Sequence, residues 1–307
     1  MTPKPQRIVD DSSHVNPKGS DNSAGNRTPP HFMLRPFISP ILRITIETPR
    51  VKAFTLRAPK IAQTAQPGQF LMVWIPGVDE IPMSIAAIKN AKKQIEFAVA
   101  RVGDATTYLH HAQPGTLLGL RGPLGHGFTF PSTSDNGPLL IVAGGYGAAP
   151  LLFTTDYAVR MGYETHVIIG AKTSSELLYQ NRFRRLASKL VLTTEDGSTK
   201  LKGTVIDWSA TLLRDNQTSG DCKYAGCIAC GPEPMLQSLM HLTRRYRVPL
   251  QVSLERYMKC GIGICGHCII DARGTRVCVE GPTFKATQLR NTDFGKRTRD
   301  ATGRYQQ

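Results

Sequence analysis

Apolar and polar residues alternate in short runs through the first part of the chain, and glycine or proline breaks almost every run. The alternation predicts strands at residues 41–48, 51–58, 69–75, 83–88, 95–102 and 116–121. One helix at 105–112 interrupts them, with Asp104 as its expected N-cap. Short strands at this spacing are typical of an antiparallel β-barrel, which we expect at residues 34–132.

From residue 137 the pattern changes to continuous apolar runs that alternate with helical stretches. Strands are predicted at 139–143, 164–171, 190–194 and 225–229, and helices at 148–161, 174–189 and 234–246. This rhythm is typical of a doubly wound parallel sheet with helices on its faces. We expect that domain at 137–250, a small cysteine-bearing module at 251–284 and a flexible basic tail at 285–307.

The composition of the chain disfavours several classes of protein. Residues 1–33 are rich in Ser, Asn, Pro, Gly and Asp, so we expect disorder there. The longest apolar run, 139–153, is too short and too rich in glycine for a membrane span. The net charge of +15 suits a nucleic acid, but the basic tail lacks a recognised reading motif. Cysteines at metal-binding spacing, without an N-terminal apolar segment, favour a reducing cytoplasm.

Four cysteines near the C-terminus form the most specific motif of the chain. The spacing C-x4-C-x2-C, with a fourth cysteine further on, is the ligand pattern of a plant-type [2Fe-2S] cluster. Glycines between the thiols let a loop turn tightly around a cluster. Zinc is the main competing metal, although structural zinc sites usually contain two separate C-x2-C pairs. The candidate ligands are Cys260, Cys265, Cys268 and Cys278, with Gly261, Gly263 and Gly266 between them.

The same spacing occurs upstream at Cys222, Cys227 and Cys230. A short buried strand is predicted over most of this segment, and residues three apart in a strand point to opposite faces. Thiols placed in this way cannot bind one ion. We therefore expect Cys222 and Cys227 to be core residues, whereas Cys230 begins a loop at the end of the strand.

Several loops are candidates for nucleotide and flavin contacts. Gly144 and Gly145 lie between a strand and a helix, where backbone can approach a pyrophosphate. The loop 230–235 ends a later strand at the same carboxyl edge of the sheet. In the predicted barrel, the loops 80–85, 102–107 and 122–128 are candidates for flavin contacts. Each loop also fits a simple turn, and the residues alone leave both interpretations open.

Taken in order, these motifs resemble the electron-transfer subunits of two-subunit dihydroorotate dehydrogenases, within the ferredoxin-NADP reductase superfamily. The resemblance runs from about residue 35 to 284 and is most specific at the cysteine loop. It implies a flavin-binding barrel, an NAD-binding domain and a [2Fe-2S] module held by the four cysteines. The chain departs from the family at Ile81, where arginine is usual, at Ala105, which replaces a common glycine, and in the short gap from Cys268 to Cys278.

The resemblance also implies roles for individual residues. Ser84 and Cys230 would be catalytic residues, and Gly144, Gly145, Gly231 and Pro232 would contact NAD. Because Ile81 cannot neutralise the FAD phosphates, Arg101 is the expected substitute. The implied FAD contacts are Ile81, Pro82, Met83, Ser84, Val99, Ala100, Arg101, Gly103, Ala105 and Thr106.

The role that the resemblance implies is electron transfer in pyrimidine biosynthesis. Electrons would pass from the FMN of a dihydroorotate dehydrogenase catalytic subunit through the [2Fe-2S] cluster and FAD to NAD+. The expected assembly is a cytoplasmic heterotetramer with two copies of each subunit, without membrane or nucleic acid. Two alternatives remain: a similar FAD and iron-sulfur reductase subunit of a sulfhydrogenase or other oxidoreductase, and a basic zinc-bearing module that binds nucleic acid.

Overall fold

The computed structural model describes residues 35–132, 137–218, 221–300 and 302–306. The disordered extension that the sequence predicts at 1–33 lies outside these residues. Within the described part of the chain, no helix is both long enough and apolar enough to cross a membrane.

The first domain is a closed barrel of six antiparallel strands, as predicted. Its elements are β1 Phe37–Thr48, β2 Val51–Arg57, α1 Pro59–Thr64, β3 Phe70–Ile75, β4 Asp79–Lys89, β5 Gln94–Ala100, α2 Asp104–His111 and β6 Leu117–Leu124. The strands close in the order β1-β2-β5-β4-β3-β6, around a core in which the rings of Phe54 and Phe97 stack. Helix α1 was not predicted, and Gly103 rather than Asp104 is the N-cap of α2.

The second domain is a parallel sheet with helices on both faces, which confirms the predicted fold class. It contains β7 Leu139–Gly144, α3 Ala148–Arg160, β8 Thr165–Ala171, α4 Gln180–Leu186, β9 Lys189–Thr194, α5 Val205–Asp215, β10 Gln217–Thr218, β11 Asp221–Cys222, β12 Gly226–Cys230, α6 Glu233–Arg245 and β13 Leu250–Ser253. The parallel strands lie in the order β13-β12-β7-β8-β9, so the winding reverses between β7 and β12. Such a switch point opens a crevice at the carboxyl ends of the strands.

Alternate residues of β7 belong to two different cores. Leu140 and Val142 pack with α5 and α6 on one face of the sheet, whereas Ile141 and Ala143 pack with α3 and α4 on the other. The second core continues into the barrel through Ala86 of β4. Burial on both faces explains why these strands appear in the sequence as continuous apolar runs.

The helix predicted at 174–189 is wrong in its extent. A 3-10 turn at Ser174–Glu176 is followed by α4, which begins only at Gln180. Between them Leu177 and Leu178 turn into the core beside the barrel. Burial of this apolar pair interrupts the helix that local composition favours. Helix α4 then forms an ion pair with the barrel through Arg182 and Glu96.

The cysteine module is joined to the sheet rather than set apart from it. Its elements are β14 Ile269–Ile270, β15 Thr275–Arg276, α7 Val277–Glu280 and β16 Thr283–Lys285. Strand β16 pairs antiparallel with β13, with Phe284 opposite Val252, and extends the sheet by one strand. The sequence predicted neither β13 nor β16.

The tail after β16 is folded in the described residues, in contrast to the flexible segment predicted from its basic composition. Leu289 and Phe294 are 5% and 4% exposed and belong to the core under α6. Gln237 of α6 donates a hydrogen bond to the carbonyl of Phe294 at 3.2 Å. Two apolar anchors in a charged segment therefore hold it in place. A hairpin, β17 Thr298–Arg299 and β18 Tyr305–Gln306, follows.

Replacing Phe294 should reveal the tail as part of the folded core. Phe294→Ala removes a buried ring, and we expect it to lower the free energy of unfolding by about 3–5 kcal/mol. Arg290→Ala, at an exposed position of the same segment, should change it by less than about 0.5 kcal/mol. Urea unfolding measures both, and equal small effects would mean that the tail does not contribute to the core.

Candidate cofactor site

The cysteine loop surrounds the sulfur of Cys260 with backbone donors. The amides of Ile262, Ile264 and Cys265 donate to Cys260 Sγ at 3.5, 3.4 and 3.5 Å. Gly261 takes a φ of 68°, a backbone conformation that favours glycine, and so allows the tight turn. Such donors stabilise the thiolate, which is the form of cysteine that binds metal.

The four predicted ligands group in two pairs. A side-chain hydrogen bond links Cys260 with Cys265, and another links Cys268 with Cys278. The amide of Cys278 also donates to Cys268 Sγ at 3.4 Å. Cys268 and Cys278 are buried, whereas Cys265 is exposed. A [2Fe-2S] cluster needs two thiolates for each iron, so this arrangement fits the cluster.

The pKa values of the thiols follow from these contacts. Burial acts to raise the pKa of Cys260, but the amide donors of the loop outweigh it and lower the pKa to about 7. The hydrogen bond with Cys278 lowers the pKa of Cys268 to about 6 and raises that of Cys278. Each pair therefore contains one thiol that ionises near neutral pH. In the described residues, no three His, Cys, Asp or Glu side chains gather as ligands of a single ion.

Arg121 connects the cysteine loop to the barrel. Its guanidinium forms a bidentate ion pair with Glu80 of β4, at 2.9 and 2.7 Å, and donates to the carbonyl of Cys260 at 2.9 Å. Arg121 is 8% exposed, so these contacts form largely away from water. The loop also rests on β3, where a Cβ on Gly261 would stand only 2.7 Å from Met72 Cγ.

A cleft of about 830 Å³ lies between the barrel and the lead-in to the cysteine loop. Ile81 and Pro82 of β4 and Val102 form its barrel side. Residues 255–259 form the opposite wall, which ends one residue before the first cysteine of the loop. Arg299 of the tail hairpin borders a third side. The volume suits a cofactor-sized ligand.

Of the predicted FAD contacts, Ile81 and Pro82 line this cleft, and Met83 and Ser84 follow them along β4 in half-buried positions. Ile81 lies opposite Val73 of β3. The first half of the predicted motif therefore lines the cleft, whereas Met83 and Ser84 do not.

The other predicted FAD contacts surround the start of α2. Val99 is fully buried in the barrel core, so its side chain cannot reach a ligand. Thr106 Oγ1 accepts hydrogen bonds from the amides of Val102 and Gly103 at 2.9 Å each, so this hydroxyl shapes the turn. Gly103 has open space where a side chain would stand. The remaining members are the exposed Arg101 and the half-buried Ala100 and Ala105.

The two predicted NAD loops meet at the switch point of the sheet. A Cβ on Gly144 would stand 2.4 Å from Met235 Sδ, and a Cβ on Gly147 would stand 2.2 Å from the carbonyl oxygen of Cys230. These glycines are therefore needed for the close approach of the loops themselves. Gly145 differs, because it has a φ of 54° and faces open space before α3.

The upstream cysteines lie on opposite faces of the sheet, as predicted. Cys227 packs in the core under α5 and α6, whereas Cys230 packs in the core under α3 and α4. Cys227 is thus confirmed as a core residue, and the side chain of Cys222 lies outside those that the structure describes. Burial raises the pKa of Cys230. Gly231 and Pro232 then end the strand, and Pro232 caps α6.

A second ion pair joins three parts of the site that are distant in sequence. Arg256 in the cleft wall pairs with Glu233 of α6 at 2.8 Å, and the amide of Gly295 in the tail donates to the same carboxylate at 2.8 Å. Neither this pair nor the role of Arg121 was predicted from the sequence. A charged residue inside the apolar run of β6 was the one available signal for Arg121.

Comparison with known proteins agrees with this architecture. Residues 255–290 match the family model described as the iron-sulfur cluster binding domain of dihydroorotate dehydrogenase B. The chain is 40% identical to a protein of Methanocaldococcus jannaschii, over 89% of this chain and 98% of the relative. It is 38% identical to a protein of Methanothermobacter thermautotrophicus, over 88% and 96%. Both are named "probable dihydroorotate dehydrogenase B (NAD(+)), electron transfer subunit".

Solved structures share the fold. The structure of an NADH-dependent reduced ferredoxin-NADP oxidoreductase superposes with a TM-score of 0.72 at 28% identity, covering 83% of this chain and 90% of that chain. A ferredoxin NADP+ reductase from Neisseria gonorrhoeae with bound FAD and NADP gives 0.55 at 17% identity, covering 69% and 92%.

The barrel, the doubly wound sheet and the cysteine loop together define a reductase of the ferredoxin-NADP reductase type that carries an iron-sulfur module. Within that class, the chain belongs to the family of dihydroorotate dehydrogenase B (NAD(+)) electron transfer subunits.

Removing the guanidinium of Arg121 should loosen the cysteine loop. Arg121→Gln leaves Glu80 and the Cys260 carbonyl without their shared donor, and breaking such a pair costs about 3 kcal/mol. We expect lower stability in urea and a lower ratio of iron to flavin after gel filtration. Arg160→Gln, which breaks an exposed pair with Asp156, should cost less than about 1 kcal/mol and leave that ratio unchanged. A normal iron content in Arg121→Gln would contradict a positioning role.

Proposed function

We propose that this chain carries electrons between a dihydroorotate dehydrogenase catalytic subunit and NAD+, through a [2Fe-2S] cluster and FAD. The observation that carries the proposal is the continuity of the site, because the cleft wall 255–259 runs directly into Cys260. A flavin in the cleft and a cluster in the loop would be neighbours. A flavin can exchange electrons singly or as a hydride, so it belongs between a cluster and NAD+.

In this proposal the four cysteines of the loop hold the cluster, which supplies one-electron transfer. The amides around Cys260 stabilise the negative charge of the thiolates. Burial of Cys268 and Cys278 keeps water from one side. On the other side Cys265 is exposed, and Ile264 beside it is 80% exposed, so the loop presents the Cys265 thiol to a partner.

The barrel, residues 34–132, holds FAD in this proposal. Pro82 and Ile81 form one wall of the cleft. The open space beside Gly103 gives a phosphate access to the N-terminus of α2, which favours negative charge. Arg101 is exposed beside this turn and supplies the positive charge that Ile81 lacks. The other proposed FAD contacts are Met83, Ser84, Val99 through its backbone, Ala100, Ala105 and Thr106.

The domain at 137–250 binds NAD at the switch point, with Gly144, Gly145, Gly231 and Pro232 as the proposed contacts. The hydroxyl of Ser84 is proposed to hydrogen-bond beside the reacting flavin. Because burial raises the pKa of Cys230, its thiol stays protonated at neutral pH. We therefore assign Cys230 to positioning the nicotinamide rather than to accepting a proton.

The proposed partner is an FMN-containing catalytic subunit, in a cytoplasmic assembly with two copies of each chain. The names of the relatives as electron transfer subunits support such a partner. The chemistry of dihydroorotate, and with it the link to pyrimidine biosynthesis, would lie in the partner. The cysteine module at 251–284 would face it.

Reconstitution tests the proposal directly. The chain, purified without oxygen together with a dihydroorotate dehydrogenase catalytic subunit of the same organism, should reduce NAD+ when dihydroorotate is added, as measured by NADH absorbance. The chain alone should oxidise NADH with an artificial acceptor but should not respond to dihydroorotate. A colourless zinc-containing protein, or a reconstituted pair that ignores dihydroorotate, would contradict the proposal.

Two cysteine variants test the cluster ligands. Cys265→Ser should lose the visible absorption of the cluster and the dihydroorotate-dependent reaction, while FAD and NADH oxidation remain. Cys227→Ala, at the equivalent place in the upstream triplet, should keep both cofactors, because Cys227 is a core residue. Loss of the cluster in Cys227→Ala with retention in Cys265→Ser would show that the wrong triplet was chosen.

A further inference from the structure

The outer wall of the barrel carries an exposed apolar patch on β1, β6 and β3. Ile38 is 50% exposed, Leu117 54% and Trp74 39%. Ile38 and Trp74 both lie opposite Gly119 of β6, and Leu117 lies two residues away on the same face, opposite Pro40. These four side chains, Ile38, Pro40, Trp74 and Leu117, are called the barrel patch below. Contiguous apolar surface of this kind marks sites where proteins bind partners.

Trp74 has a defined position in the barrel patch. A Cβ on Gly119 would stand 2.7 Å from Trp74 Cε3 and 3.1 Å from Trp74 Cβ. The indole therefore lies against the sheet, on a position where only glycine leaves room. A tryptophan already fixed on its own surface loses little freedom when a partner binds, and tryptophan is among the residues that contribute most to interfaces.

The barrel patch adjoins the cysteine loop. The next outward-facing pair along β3 and β6 is Met72 and Arg121, two residues from Trp74 and Gly119, a step of about 7 Å. Met72 supports Gly261, and Arg121 donates to the backbone of the same loop. A protein that covers the barrel patch would therefore also reach the edge of the loop.

We infer that the barrel patch and the exposed edge of the loop at Ile264 and Cys265 form one docking surface for the dihydroorotate dehydrogenase catalytic subunit. The inference rests on the proposed function and adds the surface through which it operates. Electrons must enter near the exposed thiol of Cys265, and the barrel patch is the adjoining apolar area that can bind the subunit beside it. Burial of the barrel patch would provide the affinity for the subunit, while the cysteine loop provides the path of the electrons.

Other occupants fit the barrel patch less well. A second copy of the chain would bring together two molecules that each carry a net charge of +15, which repel each other. Residues 1–30 are almost entirely polar, since they contain only Met1, Ile8, Val9 and Val15 as large apolar residues, and such a stretch gains little by covering apolar surface. The large apolar residues between this stretch and β1 are Phe32, Met33 and Leu34.

Charged substitutions in the barrel patch test the inference. Leu117→Glu and Ile38→Glu should each weaken binding of the catalytic subunit at least tenfold in a titration, because the new carboxylate would be buried in the interface. Ile46→Glu is the matched control, on the same strand β1 but opposite Lys52 of β2 and 72% exposed, and should change binding less than twofold. All three variants should keep FAD, cluster absorption and NADH oxidation by an artificial acceptor.

The possible results distinguish a failure of the proposed function from a failure of the docking surface. Failure of the unmodified chain to bind the catalytic subunit would overturn the proposed function together with this surface. Normal binding by Leu117→Glu and Ile38→Glu, or equal weakening by Ile46→Glu, would overturn the docking surface alone. A dimer of the free chain that Leu117→Glu dissociates would assign the barrel patch to a second copy instead.

Quenching of Trp74 fluorescence by acrylamide, in a Trp208→Phe background, tests whether the N-terminal segment covers the barrel patch. Trp74 should be equally accessible in the full chain and in a chain that begins at residue 35, and it should become protected when the catalytic subunit binds. Greater accessibility after removal of residues 1–34 would show that the N-terminal segment covers the barrel patch, and would overturn the inference.

Discussion

The arrangement of the site depends on one buried guanidinium. Arg121 projects from the barrel and holds both the Glu80 carboxylate, at the edge of the cleft, and the Cys260 carbonyl, at the start of the cysteine loop. A charge that is 8% exposed is stable only with such partners, since an unpaired buried charge costs several kcal/mol. The same contact that satisfies Arg121 therefore sets the distance between the cleft and the thiols. Electron transfer requires that this distance be fixed, and a bidentate pair restricts it more than a single hydrogen bond does.

Packing on the two faces of the central sheet supports this arrangement. One face shares a core with strands β2 and β4 of the barrel, and the other shares a core with strands β3 and β6 of the barrel, the cysteine module and the tail. The tail is held there by Phe294 and by the amide of Gly295, which donates to the Glu233 carboxylate that pairs with Arg256. Arg256 also lines the cleft. The cleft wall is consequently fixed from behind by residues that are far away in sequence, and the switch point and the cysteine loop are parts of one packed unit.

Elements that depend on a regular local pattern of residues could be predicted from the sequence. The six barrel strands and most of the parallel sheet appeared because their burial pattern is regular, and the cysteine ligand set appeared because its spacing is short. Contacts between distant segments could not be predicted: Arg121 and Cys260 are 139 residues apart, and nothing local marks either as a partner of the other. Strand β16 has three residues, too few for a period. The tail was misjudged because composition averages over its length, whereas its fold depends on Leu289 and Phe294.

The two cysteine triplets show why spacing alone does not define a metal site. In β12, extended backbone places Cys227 and Cys230 in different cores, separated by the sheet itself. In the loop, positive φ at Gly261 and Gly263 turns the chain back on itself, so that three amides point at the sulfur of Cys260. Backbone conformation thus decides whether the thiols converge, and the residues between the cysteines decide the conformation. Glycine at those positions permits the turn, whereas Ile228 and Ala229 between the upstream pair continue the strand into a buried sheet.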